Sequence, residues 1–359
     1  GRHRLAVAVL LAWMLLPFML LILAFDSFDL DIFTQMGGWW IWPLALGLWL
    51  LMLRRLDDSA QDGVRKKAWS CAHGGQVLLA CGLLANALWW AVEEAQLWHT
   101  AWASVVFVIA GTAVLAYLSR SAHMDALAAA NETDEGNAAN EAQTSRYAAW
   151  PWQPYARVYL VPAAGLLAWV LGWGAVLLAL TSRGYAAPLP YIPLLNPTDV
   201  SVAAALLVLV LYRSRLAQVR EDDADAKLPR WEGITLGLAG FVWINTIWLR
   251  CVHHFWGVYW DDEALFDSFV TQAGYSILWT LLALGAMLLA HRRAQRGLWL
   301  VGAGSLALTV LKLVFIDLSN SGGAERIISF IGVGVLMLVL GYWAPLPPKN
   351  ISLNLDEKA

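Results

Sequence analysis

Apolar stretches recur along this chain, and the connections between them alternate between basic and acid-rich. About 20 apolar residues are needed to cross roughly 30 Å of hydrocarbon. Ten such stretches are expected as spans, near residues 5–25, 39–53, 70–92, 100–118, 156–180, 199–216, 231–252, 269–290, 298–316 and 324–343. The second is short and runs back toward Met36. Of the 24 Lys and Arg residues, all but Arg183, Arg250, Lys312 and Arg326 fall in the N-terminus, the tail and every second connection. Cytoplasmic loops carry the Lys and Arg excess, so both termini are expected in the cytoplasm. A charged fraction of 14% excludes a soluble domain, which carries about 25%. The expected fold is all-α and polytopic, an integral membrane protein of about ten helices.

Two links divide the chain. Residues 119–155, rich in Ala, Asn and Glu between Ala128 and Ser145, read as a cytoplasmic low-complexity linker without apolar period. The charged link from Arg220 to Pro229 is the second. The expected organisation is helices 1–4 in 1–118, helices 5–6 with a Pro-rich outer loop in 156–230, helices 7–10 in 231–349, and a tail at 350–359. A weak repeat supports the division. Phe25-Asp26-Ser27-Phe28 recurs as Phe266-Asp267-Ser268-Phe269, Trp42 as Trp279, and Arg54-Arg55 as Arg292-Arg293. Both copies begin outside and end at a cytoplasmic Arg pair, which makes the repeat of helices 1–4 and 7–10 parallel. The opening Gly1-Arg2-His3-Arg4 resembles a signal-peptide start, but the apolar run that follows is too long and has no cleavage site. It reads as a true span in a truncated or processed chain.

The last third carries a resemblance. Phe241 to Asn245, Arg250-Cys251-Val252-His253-His254, Ser276 to Trp279, Lys312 to Ser319, Arg326 to Gly332 and Gly341 to Lys349 follow in order. This pattern resembles the C-terminal part of a bacterial family of predicted membrane proteins, domain of unknown function 2339. Leu194-Leu195-Asn196-Pro197-Thr198-Asp199 resembles a loop of that family, with Thr198 where Leu is expected. The likeness is strongest over 185–349 and looser in the first four helices. It implies a bacterial inner membrane and a C-terminal piece of a longer chain. It implies no particular activity.

Charges in or outside the spans are the informative ones, because each is costly there. Lys312 and Asp317 point about 140° apart on one helix, at 100° per residue. Asp317 ends that helix at its negative dipole end, so a cation must compensate. Arg326, across the turn, is the candidate. The pair is either a hairpin clamp, with Lys312 snorkelling outward, or part of a ligand- or proton-linked site. Arg250 and His254 share a helix face one turn apart, beside an outer loop carrying Asp261, Asp262, Glu263 and Asp267. Three readings stay open there: a divalent metal site, an acid–base site built on His254 and an acid, and an interfacial loop held by Trp256, Tyr259 and Trp260. Adjacent histidines diverge on a helix and no His-x-x-x-His spacing occurs, so no resident metal is assigned. Four prolines at 188–197 exclude an ordinary helix. That segment is a rigid surface loop or a re-entrant element, with Arg183 beside it to bind an anion or pair with Asp199. The 22 Trp residues, in runs such as Trp89-Trp90, read as an interfacial belt or as a sugar- or lipid-stacking surface.

No phosphate-binding loop, dinucleotide fingerprint, His-Glu-x-x-His or nucleophile elbow occurs, so no cofactor is expected. The net charge of -3 points to neither nucleic acid nor a polybasic lipid switch. Cys71, Cys81 and Cys251 form no disulfide framework. The expected partners are the bilayer, a lipid or glycan substrate and other envelope proteins. Three function classes remain. The first is a transport or translocation component with an outward polar cavity. In it Arg250, Lys312 and Arg326 would hold an anionic group beside Asn245, while His254 and Asp317 exchange protons. The second is a membrane-embedded enzyme acting on an envelope lipid or glycan, with His254, Asp261, Asp262, or the equivalent Asp26 and Asp29, as base or ligand. The third is a scaffold for envelope proteins.

Overall fold

The computed structural model describes residues 15–22, 38–57, 63–132, 152–221, 230–312 and, beyond these, only 327, 331, 334, 335 and 338. Side chains are described at 15–22, 40–55, 70–120, 155–217 and 231–312, and at those last five positions. Most of the first and tenth expected spans, the link 222–229, the tail, Asp26, Asp29, Asp317 and Arg326 lie outside the described residues.

All regular structure among the described residues is helical, apart from one isolated bridge between Ala186 and Leu189. In chain order the helices are α1 (15–22), α2 (Gly38–Asp57), α3 (Gly63–Glu94), α4 (Trp102–Glu132), α5 (Trp152–Val158), a π turn (Tyr159–Ala163), α6 (Ala164–Thr181), α7 (Pro197–Glu221), α8 (Arg230–Trp256), α9 (Asp262–Asp267), α10 (Phe269–Arg292) and α11 (Arg296–Lys312). Six segments are long and apolar enough to cross a bilayer: Ser70–Glu94, Trp102–Arg120, Tyr155–Thr181, Pro197–Ala217, Trp231–Trp256 and Phe269–Arg292. Each coincides with an expected span. Helices α2 and α11 occupy the second and ninth expected positions. The chain is a multi-pass α-helical protein.

Helix α4 runs on to Glu132, into the stretch read as linker. Ala126, Ala128, Ala129 and Ala130 carry it, since alanine is the best helix former and needs no partner. Helix α3 starts at Gly63, ahead of its apolar window, and so includes Arg65, Lys66 and Lys67.

The chain divides into two compact units, one ending at Trp243 and the other beginning at Ile244, within α8. In the first, α4 packs along α6 and α7, α6 along α7, and α3 against the π turn. Its core centres on Leu79, Val105, Leu115, Ala164, Ala175 and Ala205, all essentially inaccessible. The outward face of α6 is as apolar as its inward face: Leu166, Trp169, Val170, Trp173 and Leu177 are exposed. A water-facing surface does not carry such a patch; hydrocarbon suits it.

In the second unit, α10 and α11 form a tight hairpin. Ala294 takes the left-handed conformation (φ 52°) that lets the Gln295 amide reach back to the Ala290 carbonyl and close α10. Gly302 brings α11 against Ala283 and Met287 of α10. Helix α9, from Asp262, anchors the connection between α8 and α10 through the buried Leu265.

Candidate functional site

Polar groups of the second unit gather on α10, which carries Gln272, Ser276 and Thr280 at four-residue spacing along a largely apolar helix. Lys312, from the end of α11, is buried against this stripe. Its Nζ donates to the Gln272 carbonyl and to Ser276 Oγ, both at 3.0 Å. Ser276 Oγ in turn donates to the Gln272 carbonyl at 3.1 Å, which closes a triangle. Three residues along α10, Trp279 Nε1 donates to Asn245 Oδ1 of α8 at 2.7 Å. Ser276 and Trp279 are neighbours on the helix surface. The structure therefore brings Asn245 and Lys312 to adjacent positions of one helix. Lys312 reaches the first turns of α10 but ends in protein, 8% exposed. Trp248 fixes the α8 side of this arrangement, its Nε1 donating to the Thr271 carbonyl at 3.4 Å and its ring lying over Gly274.

Arg250 is fully buried, and its guanidinium donates to Thr246 Oγ1 one turn back at 3.2 Å. His253 Nδ1 meets the Val258 carbonyl at 2.7 Å, and its ring packs edge-on against Trp260 and His254. His253 thereby ties the end of α8 to the loop that follows. His254 is half-buried, while Asp261, Asp262, Glu263 and Asp267 are exposed. Among the described residues, no three His, Cys, Asp or Glu side chains come together in a metal-holding group.

The first unit holds a polar cluster that the sequence did not signal. His73 and Gln76 lie one turn apart on α3, both buried. His73 Nδ1 is 2.8 Å from the Tyr159 hydroxyl, to which Gln76 also bonds. The Tyr155 ring stacks on His73 at 3.8 Å. The π turn sets this geometry. Pro162 has no N–H to donate, and the Ala164 amide reaches five residues back to the Tyr159 carbonyl. The Leu160 carbonyl accepts a bond from the Tyr212 hydroxyl at 2.9 Å. The only hint in the sequence was a His-x-x-Gln spacing in an apolar helix.

The Pro-rich connection is held by buried polar groups. Asn196 caps α7, its Oδ1 accepting from the Thr198 amide at 2.8 Å, with Pro197 at the first helical position. Asn196 Nδ2 donates to the Gly184 carbonyl at 2.5 Å. Ser182 Oγ and Thr198 Oγ1 are 2.9 Å apart, and the buried Asp199 accepts from the Leu194 amide at 3.3 Å. Tyr185, Leu189, Ile192, Leu194 and Leu195 project outward from this frame. Asn196→Ala is expected to lower stability by about 1–2 kcal/mol through loss of the cap. Denaturant titration of the purified protein reads it; an unchanged midpoint would show that the frame does not depend on the cap.

The family model described as Predicted membrane protein (DUF2339) matches residues 1–347. The chain belongs to this family. The match takes in the first helices as fully as the last, so DUF2339 membership extends well beyond the likeness visible at 185–349. A bilayer is accordingly the surroundings of its apolar helices. No curated protein and no solved structure matches the chain. Of the residues named from sequence, Arg250, Lys312 and Asn245 sit inside the second unit of this DUF2339 chain. His254 lies at its edge, and Asp261 and Asp262 on its surface. The sequence assigns no functional role to Gln272, Ser276 or Trp279; Ser276 and Trp279 enter only through the family pattern, and Trp279 also through the repeat. The four-residue polar stripe on α10 was the signal that would have found Gln272 and Ser276.

Proposed function

We propose that this chain is a transport or translocation component of a bacterial inner membrane, with both termini in the cytoplasm and an outward-facing polar site for an anionic envelope lipid or glycan. The observation that carries this reading is the burial of Lys312 and Arg250 within apolar helices. Charged side chains within membrane segments are rare and costly, and such residues mark substrate or ion pathways. Lys312 and Arg250 hold the anionic group, and Asn245 and Ser276 orient it; Arg326 and Asp317, named from the sequence for the same role, lie outside the described residues. The carboxylates of Asp261, Asp262, Glu263 and Asp267 are exposed and take no part in holding the group.

Thermal unfolding with added polyprenyl phosphate or phosphatidylglycerol tests this, with phosphatidylcholine as control. Saturating ligand at a hundredfold excess over Kd stabilises by about 2.7 kcal/mol. The anionic lipids are expected to raise the wild-type midpoint by several degrees. Lys312→Met and Arg250→Met are expected to abolish the rise. Lys312→Met also removes the donor to Ser276 Oγ and the Gln272 carbonyl, so the lipid-induced rise is read against that variant's own unliganded midpoint. Equal shifts in wild type and both variants would remove the two cations from the site.

A further inference from the structure

Small residues on three helices of the first unit face a common space. Gly82 and Ala85 of α3, Ala110 and Gly111 of α4, and Gly174 of α6 line a groove of about 360 Å³. Small residues in membrane helices normally let backbones approach closely. Here they leave room: a Cβ built at Gly174 meets nothing within 4 Å, and one at Gly111 meets only Leu171, at 3.4 Å.

The lining excludes water as occupant. Cys81 is its sole side chain with a heteroatom, whereas a buried water needs two to four polar partners. An empty groove would forfeit the dispersion contacts of its walls. The shape narrows the choice further. Each helix contributes a stretch of about seven rises, 81–88, 107–114 and 167–174, or roughly 10 Å at about 1.5 Å per residue. The groove thus runs parallel to the helices, as lipid tails do. It lies within three apolar spans, away from their polar ends. Leu84 and Val170 on its rim are exposed, and Val170 continues into the lipid-facing row Trp169, Trp173 and Leu177. The groove is therefore continuous with the interface that the protein makes with the bilayer.

We propose that this groove is a binding site for one acyl chain of a membrane lipid, held at hydrocarbon depth between α3, α4 and α6. The site is distinct from the anionic site of the second unit and does not depend on it. It selects by tail rather than by headgroup.

The test uses the full chain in phosphatidylethanolamine–phosphatidylglycerol vesicles doped with a phosphatidylethanolamine that carries a photoactivatable diazirine on its acyl chain. Adducts mapped by mass spectrometry are expected on Leu84, Leu88, Val114 and Leu167 in the wild type. Gly174→Leu and Ala85→Leu fill the groove from two sides, and each should cut those adducts several-fold. Gly237→Leu, on α8 with open space around it, should leave them unchanged. Adducts spread evenly over the exposed apolar surface of the wild type would overturn the proposal, whatever the variants do. So would groove adducts that persist in both filled variants. A filled variant that lowered the oligomeric mass while lipid labelling stayed constant would assign the groove to a second copy of the chain.

Discussion

Tyr159→Phe is expected to destabilise the first unit more than any other single-atom deletion in it. The hydroxyl is the shared partner of His73 Nδ1 and the Gln76 amide, and all three residues are buried. Leaving a buried polar group without its partner costs roughly 1–3 kcal/mol; here the Gln76 amide loses its bond and His73 loses one of its contacts. Gln76 has nothing in reserve, because its Oε1 has no other hydrogen bond among the described residues. The variant should therefore unfold several degrees earlier in detergent. Its loss should also be partly recovered by Gln76→Leu, because removing both partners of a buried bond is far cheaper than removing one. A double-mutant cycle reads the coupling, expected between about 0.5 and 3 kcal/mol. Strict additivity would show that the two groups do not share the hydroxyl.

Gly302→Ala is the second large effect, and its contrast with a near neighbour makes it diagnostic. A Cβ at Gly302 would stand 2.7 Å from Met287 Cγ, 2.9 Å from the Ala283 carbonyl oxygen and 3.2 Å from the Met287 nitrogen. Met287 Cγ can swing away, but the backbone of α10 cannot. The hairpin must open, at a cost of about 1–3 kcal/mol for overpacking. Lys312 lies on the same helix, so this opening draws its Nζ away from Ser276. At Gly304, two residues on, a Cβ meets nothing within 4 Å. Gly304→Ala should stabilise by about 0.5–1 kcal/mol, the usual gain from alanine in a helix interior. Opposite signs at 302 and 304 in a denaturant titration confirm the packed face of α11. Equal effects would place that face elsewhere.

The spans were legible because apolar length is a property of the segment itself. For that reason the windows at 70–92, 100–118, 156–180, 199–216, 231–252 and 269–290 each coincide with a helix long and apolar enough to cross a bilayer. The continuation of α4 to Glu132 was obscured because Ala-rich polar sequence reads equally well as linker or as solvated helix. The π turn follows from Pro162 only once Tyr212 supplies the bond to the Leu160 carbonyl, and that partner lies 52 residues away. The same holds for the sites. Lys312 and Arg250 stood out because charge in hydrocarbon is costly wherever it falls. Their surroundings did not, because which face of α10 meets Lys312 is set by the hairpin through Gly302 and Ala283. His73 carries no signal of its own in the sequence, because its role depends on a tyrosine 86 residues away.

The most direct measurement is a density map of the intact protein purified with its native lipids. The account predicts elongated or headgroup-shaped non-protein density within hydrogen-bond reach of Lys312 Nζ and the Arg250 guanidinium. Both cations enclosed by protein groups alone, with no such density beside them, would contradict it.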